Sequence, residues 1–389
     1  MFALTLLASS LLLGGQTWTV DDDGPADFSD LPEAIAAVSP GDILLVEPGN
    51  YSSATLDKEL TILGRPGASR PDLRELKVES VGGFTLAGLE LNGLVVRDVS
   101  GRGRIDDCFV HDSGFDVGEY GVFKVEDCDE ILISRCEIQG IDDDGFTTFG
   151  SNGLEIFRSA VEMVDCEIRG GHGYFILGST TAGWRAVYCR DSEVRFSGCS
   201  IQGGAGGSLQ EGGHGIVLKD SVANLRGSSS HVIQGGFGSG GPPSVAVLVG
   251  GSSTLPFSGV TLLPSAPSSG TEIVPAEPFL LVTGEDGPGM VRVLEMYGPA
   301  GTVALIEVSA RPELDKAPGI PGGPAWIDVD AIVAILTVTL AGQDTAATQS
   351  IHLPGDPALA GLVGEVQGTL LPAPDGLYLT NASQIILRF

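Results

Sequence analysis

The sequence is poor in basic and in aromatic residues. Its 389 residues include 21 Lys and Arg against 50 Asp and Glu, giving a formal net charge of −29, and aromatic side chains make up 6 %. Nucleic acids and anionic membranes are bound through a basic face, so this balance argues against nucleic acid as a partner. The acidic excess is compatible with divalent cations and with neutral or cationic partners, and it selects none of them.

The sequence also lacks an uncharged apolar run of the roughly 18 residues that a membrane helix needs, so we expect no membrane insertion. Residues 3–15 form a shorter apolar run that starts almost at Met1 and ends in small residues, as signal peptides do. A buried first strand is the alternative, since no Lys or Arg precedes the run. We therefore expect residues 1–16 to be a signal peptide and the protein to be secreted or displayed on the cell surface.

The six cysteines include no Cys-x-x-Cys pair, so a structural zinc site is not expected. Four of them share one position of a sequence repeat and should form an inward column: Cys108, Cys136, Cys166 and Cys199. Two interpretations of this column stay open, namely buried apolar filler and disulfide pairing between neighbours in an exported protein. Cys128 and Cys189 are expected at a second equivalent position, with Ser159 between them.

What the sequence has in abundance is glycine, with 57 residues that lack the Gly-X-Y period of collagen. The segment Cys136-Glu-Ile-Gln-Gly recurs at Cys166, Cys199 and His231, at intervals of about 30 residues, with looser copies upstream and downstream. The third position of each copy is apolar and the second is often polar, which is the alternation of a strand. Such short strands must stack on neighbouring copies, which predicts a parallel β-solenoid of about eight rungs, each about 4.8 Å high.

The beginning of the predicted mature chain carries a family resemblance. Residues 27–35, with apolar side chains at helical spacing, lead into Gly41-Asp42-Ile43 and then Pro48-Gly49-Asn50-Tyr51. This resembles the opening of pectate-lyase-like right-handed parallel β-helix proteins, in which a capping helix precedes the first strands. The resemblance, counting the repeats, implies an all-β right-handed parallel β-helix over residues 17–265 with an N-terminal capping helix. The apolar stripe can cover the open end of the solenoid, and consists of Leu31, Ala34, Ile35 and Val38.

The rest of the chain has a different pattern. Residues 266–278 are rich in Pro and Ser and predict a linker. Residues 279–389 contain about six strand-like runs separated by turn signals, which predicts a small C-terminal β-sandwich. The ending of the chain resembles C-terminal modules of large exported bacterial proteins of unknown role.

Candidate site residues come from a pattern of one polar residue, a glycine and a strand start. This pattern occurs at Tyr120, Asp144, His172 and His214, which would form one polar edge if they open the same strand on successive rungs. Neighbouring carboxylates and imidazoles can divide acid and base roles between them. We predict catalytic roles for Asp143, Asp144, His172 and His214, substrate contacts for Asp116, Glu119, Tyr120, Tyr174 and Lys219, and a metal site at Asp142 and Asp143. The alternative is that the Gly-x-Gly segments are generic solenoid corners beside a solvated acidic loop.

The segment Gly171-His172-Gly173, or alternatively Gly213-His214-Gly215, also resembles the Gly-His-Gly element of polygalacturonase-type glycoside hydrolases, and the pair Asp143-Asp144 resembles their paired acids. The chain lacks the Asn-Thr-Asp and Arg-Ile-Lys elements of those enzymes. The leading hypothesis is therefore an exported β-helix protein that binds a polysaccharide or cell-surface glycan, or serves as a surface scaffold. The alternative is a polysaccharide-cleaving enzyme, a glycoside hydrolase rather than a lyase. A third hypothesis is an adhesion protein whose C-terminal sandwich docks to the cell surface. No cofactor is required by these hypotheses, although calcium could bind at the acidic loop.

Overall fold

In a computed structural model, the described residues are 15–66, 69–111, 121–144, 150–176, 179–207, 210–238, 244–263, 271–273, 279–283, 291–297, 300–309, 332–340, 344–352, 363–373 and 376–386. These residues form strands and connections, together with one short helix, α1 (Leu31–Ala37). The predicted all-β fold is confirmed. Within the described ranges, no helix is long and apolar enough to cross a membrane.

Most strands belong to three parallel sheets, and each turn of the chain adds one strand to each sheet. Sheet A contains β1 (Thr17–Val20), β2 (Ile43–Val46), β5 (Thr61–Gly64), β8 (Phe84–Ala87), β11 (Arg102–Asp106), β14 (Glu130–Ser134), β17 (Ala160–Val164), β22 (Glu193–Ser197), β25 (Val222–Arg226), β28 (Leu255–Ser258) and β30 (Thr271–Ile273). Sheet B contains β3 (Asn50–Tyr51), β6 (Asp72–Leu73), β9 (Glu90–Leu91), β12 (Phe109–Val110), β15 (Glu137–Gln139), β18 (Glu167–Arg169), β23 (Ser200–Gln202), β26 (Val232–Gln234) and β29 (Thr261–Leu263). Sheet C contains β4 (Ala54–Leu56), β7 (Leu76–Glu79), β10 (Leu94–Arg97), β13 (Gly121–Glu126), β16 (Asn152–Phe157), β21 (Val187–Arg190), β24 (Ile216–Lys219) and β27 (Val247–Gly250).

The chain thus forms the stacked parallel β-helix that the repeat predicts, with about eight turns. The apolar third position of the repeat points inward, as expected: Ile138, Ile168 and Ile201 are in register on sheet B and at most 1 % exposed. They belong to one apolar core that runs through the solenoid from Val20 to Leu262.

Two of the three corners of each turn are short. Between sheets C and A, and again between A and B, single residues adopt the left-handed conformation, with φ of 55° at Asp127 and 53° at Asp165. Asp tolerates this conformation better than most side chains, which explains why Asp recurs at both corners. The residue that follows each such turn directs its side chain back into the solenoid.

The four cysteines form the predicted inward column, which lies at the corner between sheets A and B. The thiols of Cys108, Cys136, Cys166 and Cys199 are at most 3 % exposed, and each donates to a backbone carbonyl two residues earlier. All six cysteines of the chain are free and buried, which fits the interpretation as apolar filler.

The predicted equivalence of Cys128 and Cys189 is wrong. Ser159 does follow Cys128 at the corner between sheets C and A, because its hydroxyl accepts the Cys128 N–H at 3.0 Å. The next position is held by Ser192, whereas Cys189 lies within β21, in register with Ile156. The loop between β18 and β21 lengthens that turn, so counting residues from Cys128 misplaces the corner.

The capping helix is confirmed at the N-terminal end. Asp30 caps α1 by accepting the Leu31 N–H, and Leu31, Ala34 and Ile35 are buried against the first turns. Because these side chains cover apolar strands that no earlier turn covers, the helix closes the core.

The C-terminal region forms two antiparallel sheets, which share one apolar core and so form the predicted β-sandwich. One sheet contains β31 (Phe279–Thr283), β32 (Val291–Tyr297) and β35 (Ala347–His352), and the other contains β34 (Ile332–Thr339), β33 (Val303–Ser309), β36 (Val363–Ala373) and β37 (Gly376–Ile386). The strand β35 was not predicted from the sequence. Most of the predicted linker and signal peptide lies outside the described residues, but β30 within the linker segment pairs with β28 of sheet A.

The sandwich packs on the outer face of sheet A. Leu132 and Val164 of that face are 0 % exposed and share an apolar cluster with Phe279 and Leu281 of β31. Farther along the solenoid, the Ser229 N–H donates to Asp344 at 2.7 Å. Sheet A is therefore partly covered, whereas the opposite corner of the solenoid carries the loops.

Candidate functional site

The long connections of successive turns leave the solenoid at one corner, between sheets B and C. They lie within residues 140–151, 170–186, 203–215 and 235–246, which we call the loop corner. At the base of each loop, its outgoing and returning arms hydrogen-bond to each other, for example Ser151 N to Ile141 O at 3.0 Å and Gly213 N to Gly204 O at 2.7 Å. The bases of the loops therefore stack one above another along the solenoid.

Stacked glycines explain why the repeat ends in Gly or Gly-Gly. Gly171, Gly204 and Gly236 lie in register at the base of the loops, and a Cβ on Gly204 would overlap the carbonyl oxygen of Gly171. Gly236 stands in the same relation to Gly204. Glycine is required here because backbones of adjacent turns approach too closely for a side chain.

His172 and Asp142 are neighbours in this stack. The carboxylate of Asp142 accepts the backbone N–H of His172 at 2.7 Å, and the His172 carbonyl accepts the N–H of Asp143 at 2.8 Å. On the next turn, the Ala205 N–H donates to His172 Nδ1 at 2.8 Å. A neutral His172 ring therefore carries its proton on Nε2, which leaves an N–H donor on an exposed side chain.

The single ladder of Asp144, His172 and His214 predicted from the sequence is wrong in register. His172 lies on an outgoing arm, in line with Asp142 and Ala205, whereas His214 lies on a returning arm two residues before β24. The same sequence pattern thus occurs on two different arms, because only some of the glycines precede a solenoid strand. Their predicted catalytic roles remain predictions.

His214 occupies a half-buried position beside Arg185. Burial, reinforced by the positive charge of Arg185, lowers the pKa of His214, while the backbone of Val245 and the charge of Glu211 oppose this. Its Nδ1 is buried and has no hydrogen-bond partner among the described residues.

The remaining predicted site residues are dispersed. Asp143 is 7 % exposed, Asp144 is half-buried beside it, and Tyr174 is exposed at the start of the following loop. Lys219 lies on the outer face of sheet C in register with Arg190. Three predicted contacts lie outside the described residues: Asp116, Glu119 and Tyr120.

A strip of aromatic and basic side chains runs along the outer face of sheet C. The rings of Phe157 and Tyr188 are 5.7 Å apart, and each has a cation above it. Lys124 Nζ is 5.2 Å from the Phe157 ring centre, and the Arg185 guanidinium is 5.3 Å from that of Tyr188. We call these four residues the aromatic strip. It meets the loop corner at Arg185, which lies in the returning arm of the loop within residues 170–186.

Glu155 lies among the residues of the aromatic strip, and we did not predict it as a site residue from the sequence. It stands in register between Lys124 and Tyr188, on the outer face, because its neighbours Leu154 and Ile156 are in the core. The Glu155 side chain is nevertheless buried at 6 % exposed, and its Oε1 accepts from Asn152 Nδ2 at 2.7 Å.

The environment of Glu155 changes its acidity. Burial raises its pKa, against the opposing influence of the Asn152 hydrogen bond and of the Lys124 and Arg185 charges. A buried carboxyl beside aromatic rings can serve as a general acid. The sequence signal that could have found it is a comparison of residues one turn apart, since Lys124, Glu155 and Tyr188 are in register.

Among the described residues, the group able to bring three carboxylates within 4.8 Å is Asp21, Asp22 and Asp23, far from the loop corner. Asp22 accepts the Asn50 N–H at 2.9 Å, so part of this cluster supports the first turns. The predicted calcium site at Asp142 and Asp143 gains no third ligand from the described residues.

No family model and no curated protein matches the chain. Two solved structures are similar to it over most of its length. Geobacillus virus E2 ORF18 is 11 % identical and has a TM-score of 0.33, with 83 % of this chain and 72 % of that chain covered. The enzymatically active domain of bacteriophage CBA120 tailspike protein 4 is 10 % identical, with a TM-score of 0.20 and coverages of 89 % and 64 %.

Proposed function

We propose that the protein is an exported glycan-binding protein that holds a polysaccharide along the aromatic strip beside the loop corner. The observation that carries this proposal is the pairing of Phe157 and Tyr188 with cations on one open sheet face. Aromatic rings offer a flat apolar surface and little conformational entropy to lose, while Lys and Arg donate hydrogen bonds to hydroxyl or carboxylate oxygens.

The geometry also suits an extended ligand. Successive turns repeat at about 4.8 Å, so Lys124 and Tyr188, which stand two turns apart in the same register, offer polar groups along the solenoid axis. The bases of the loops lie beside this line. A polymer lying along the axis would contact several turns at once, and its affinity would grow with the number of turns occupied.

The test is binding to a panel of acidic and neutral polysaccharides, measured with and without calcium. We expect Tyr188→Ala to weaken binding of the best ligand about tenfold or more, as loss of a central aromatic contact does. The matched control is Phe109→Ala, which removes an aromatic ring from the outer face of sheet B, where Phe109 stacks on His111. Equal affinities of the two variants, or no binding to any member of the panel, would contradict the proposal.

Glu155 favours a second candidate function, the hydrolysis of the bound polysaccharide. A carboxyl with a raised pKa can protonate a glycosidic oxygen, and a second carboxylate must then assist. The same panel tests this if released reducing ends are measured. We expect Glu155→Gln to abolish release while binding persists, and Glu137→Gln, an exposed position on sheet B, to change neither. Binding without release by the unmodified protein would rule out hydrolysis and leave the binding function intact.

A further inference from the structure

A cavity of about 330 Å³ opens on the outer face of sheet A, in the first turns of the solenoid. This face does not adjoin the loop corner, because the loops lie between sheets B and C. The cavity lies over β5, β8 and β11, before the turns on which Leu132 and Val164 meet the sandwich. Pockets that hold small ligands begin at about this volume.

The register of sheet A explains why the space exists. Thr61, Thr85 and Arg104 are in register on successive strands and line the cavity. Two residues earlier along the chain, Glu59 and Gly83 precede β5 and β8, and Arg102 begins β11; all three line the cavity. Gly83 has no side chain, so an opening one turn high remains between Glu59 and Arg102. A Cβ there would lie 2.9 Å from the Arg102 carbonyl oxygen, so the close approach of backbones keeps this position a glycine.

The two walls of the cavity differ in charge. On one side lie Arg102 and Arg104, which are 7 % and 6 % exposed, and Arg102 is held by a 2.9 Å contact from its Nε to Glu130. On the other side lies the exposed carboxylate of Glu59. The cavity is therefore lined by two largely buried guanidinium groups on one side. Arginine is suited to carboxylate recognition because its donors match both oxygens of that group.

We propose that this cavity binds a small hydroxy-carboxylate, such as a single acidic sugar. The carboxylate would lie against Arg104 and Arg102, and the sugar hydroxyls would meet the Thr61 and Thr85 hydroxyls and the Glu59 carboxylate. The site is separate from the aromatic strip and does not depend on the proposed glycan-binding function. Evidence against one proposal would therefore not affect the other.

The test is titration of the full-length protein with glucuronate, with glucose and acetate as separate probes. We expect glucuronate to bind with a dissociation constant on the order of millimolar, and glucose and acetate at least tenfold more weakly. Glucose lacks the carboxylate and acetate lacks the hydroxyls, so each removes one half of the recognition. Equal binding of glucose and glucuronate, or no binding of glucuronate, would overturn the proposal.

Substitutions of residues that line the cavity test whether glucuronate binds there. Thr85→Val keeps the shape of the side chain and removes its hydroxyl, and Arg104→Met removes the guanidinium, so each should weaken glucuronate binding about fivefold or more. The matched control is Thr55→Val, at an exposed position of sheet C, which should leave the affinity unchanged. Thr85→Val decides the outcome if Arg104→Met does not fold. Affinity equal to that of the control variant would contradict the assignment, as would loss of glucuronate binding in the Tyr188→Ala variant.

Discussion

At the scale of single residues, the loop corner depends on glycines that bring backbones of adjacent turns together. The Gly204 and Gly171 pair is such a contact, and Gly250 on sheet C offers a contrast, because its Cβ would meet the Leu218 carbonyl oxygen at an ordinary 3.5 Å. An alanine at position 204 would therefore clash with backbone, whereas an alanine at position 250 would not. The difference in stability between these two variants measures the effect of the close backbone contact.

We predict that Gly204→Ala destabilises the protein by about 1–3 kcal/mol, because the added methyl forces adjacent turns apart. Gly250→Ala should change the free energy of unfolding by less than about 1 kcal/mol. Urea unfolding followed by circular dichroism measures both. Similar stabilities of the two variants would show that the bases of the loops tolerate a side chain, so that the backbones of adjacent turns are not in close contact there.

At the scale of elements, a ladder of hydroxyls supports the corner between sheets C and A. The hydroxyls of Ser159, Ser192, Ser221 and Ser253 each accept an N–H from the preceding turn, and each donates to a carbonyl two or three residues earlier in its own turn. The ladder satisfies buried backbone groups that the sheets leave unpaired at this corner. Cys128 holds the position before Ser159 in the same column.

We expect Ser192→Ala to cost about 1–3 kcal/mol of unfolding free energy, because the buried Ser159 N–H loses its acceptor. Ser192→Cys should cost less, since Cys128 shows that this column accepts a thiol, and sulfur is a weak acceptor. Thermal and urea unfolding of the two variants measure the difference. A cysteine variant as unstable as the alanine variant would indicate that packing, and not the hydrogen bond, sets the cost.

At the scale of the whole molecule, a partly buried titratable group lies where the solenoid faces the sandwich. Asp165, at a corner of the solenoid, lies near Glu295 of the sandwich. Burial, opposed by Arg135 and strengthened by the charges of Glu295 and Asp106, raises the pKa of Asp165 from its ordinary 3.8 to about 6. The folded protein therefore holds this proton more tightly than the unfolded chain does. The stabilisation from the proton is complete below pH about 4 and is lost as the pH rises through about 6.

We predict that the unmodified protein loses about 1.4 kcal/mol of unfolding free energy between pH 5 and pH 7.5 as folded Asp165 loses its proton, and that Asp165→Asn removes this loss. The asparagine keeps the left-handed turn and is neutral at both pH values. The control is Asp191→Asn, at a solenoid corner with φ of 51°. Unfolding midpoints at the two pH values measure the effect, and a pH dependence unaltered in Asp165→Asn would contradict the burial of this charge at the contact.

The repeat was predictable from the sequence because its cause is local. Ile138, Ile168 and Ile201 face inward by strand alternation, and each copy brings the same alternation to the same place in the next turn. The capping stripe from Leu31 to Val38 was predictable for the same reason. Each feature depends on side-chain spacing within a few residues.

The candidate site was predictable only in part. The sequence identified the loops that carry His172 and Asp142, but it assigned His172 and His214 to one ladder, although outgoing and returning arms differ. It also misplaced Cys189, because a long loop shifts the count of residues between corners. Loop length alters sequence distance without altering register, so spacing alone does not locate these residues.

By itself, the sequence determined the all-β solenoid, its inward columns, its cap and the strand-rich C-terminal region, because alternation and repetition act over short distances along the chain. The tertiary structure alone decided which side chains of different turns meet. Lys124, Glu155 and Tyr188 are neighbours because hydrogen bonds between adjacent strands set their register. The cavity at Gly83 exists because the turns on either side carry side chains there and Gly83 does not. The register between turns depends on how complete turns stack on each other, so the sequence of one turn does not determine it.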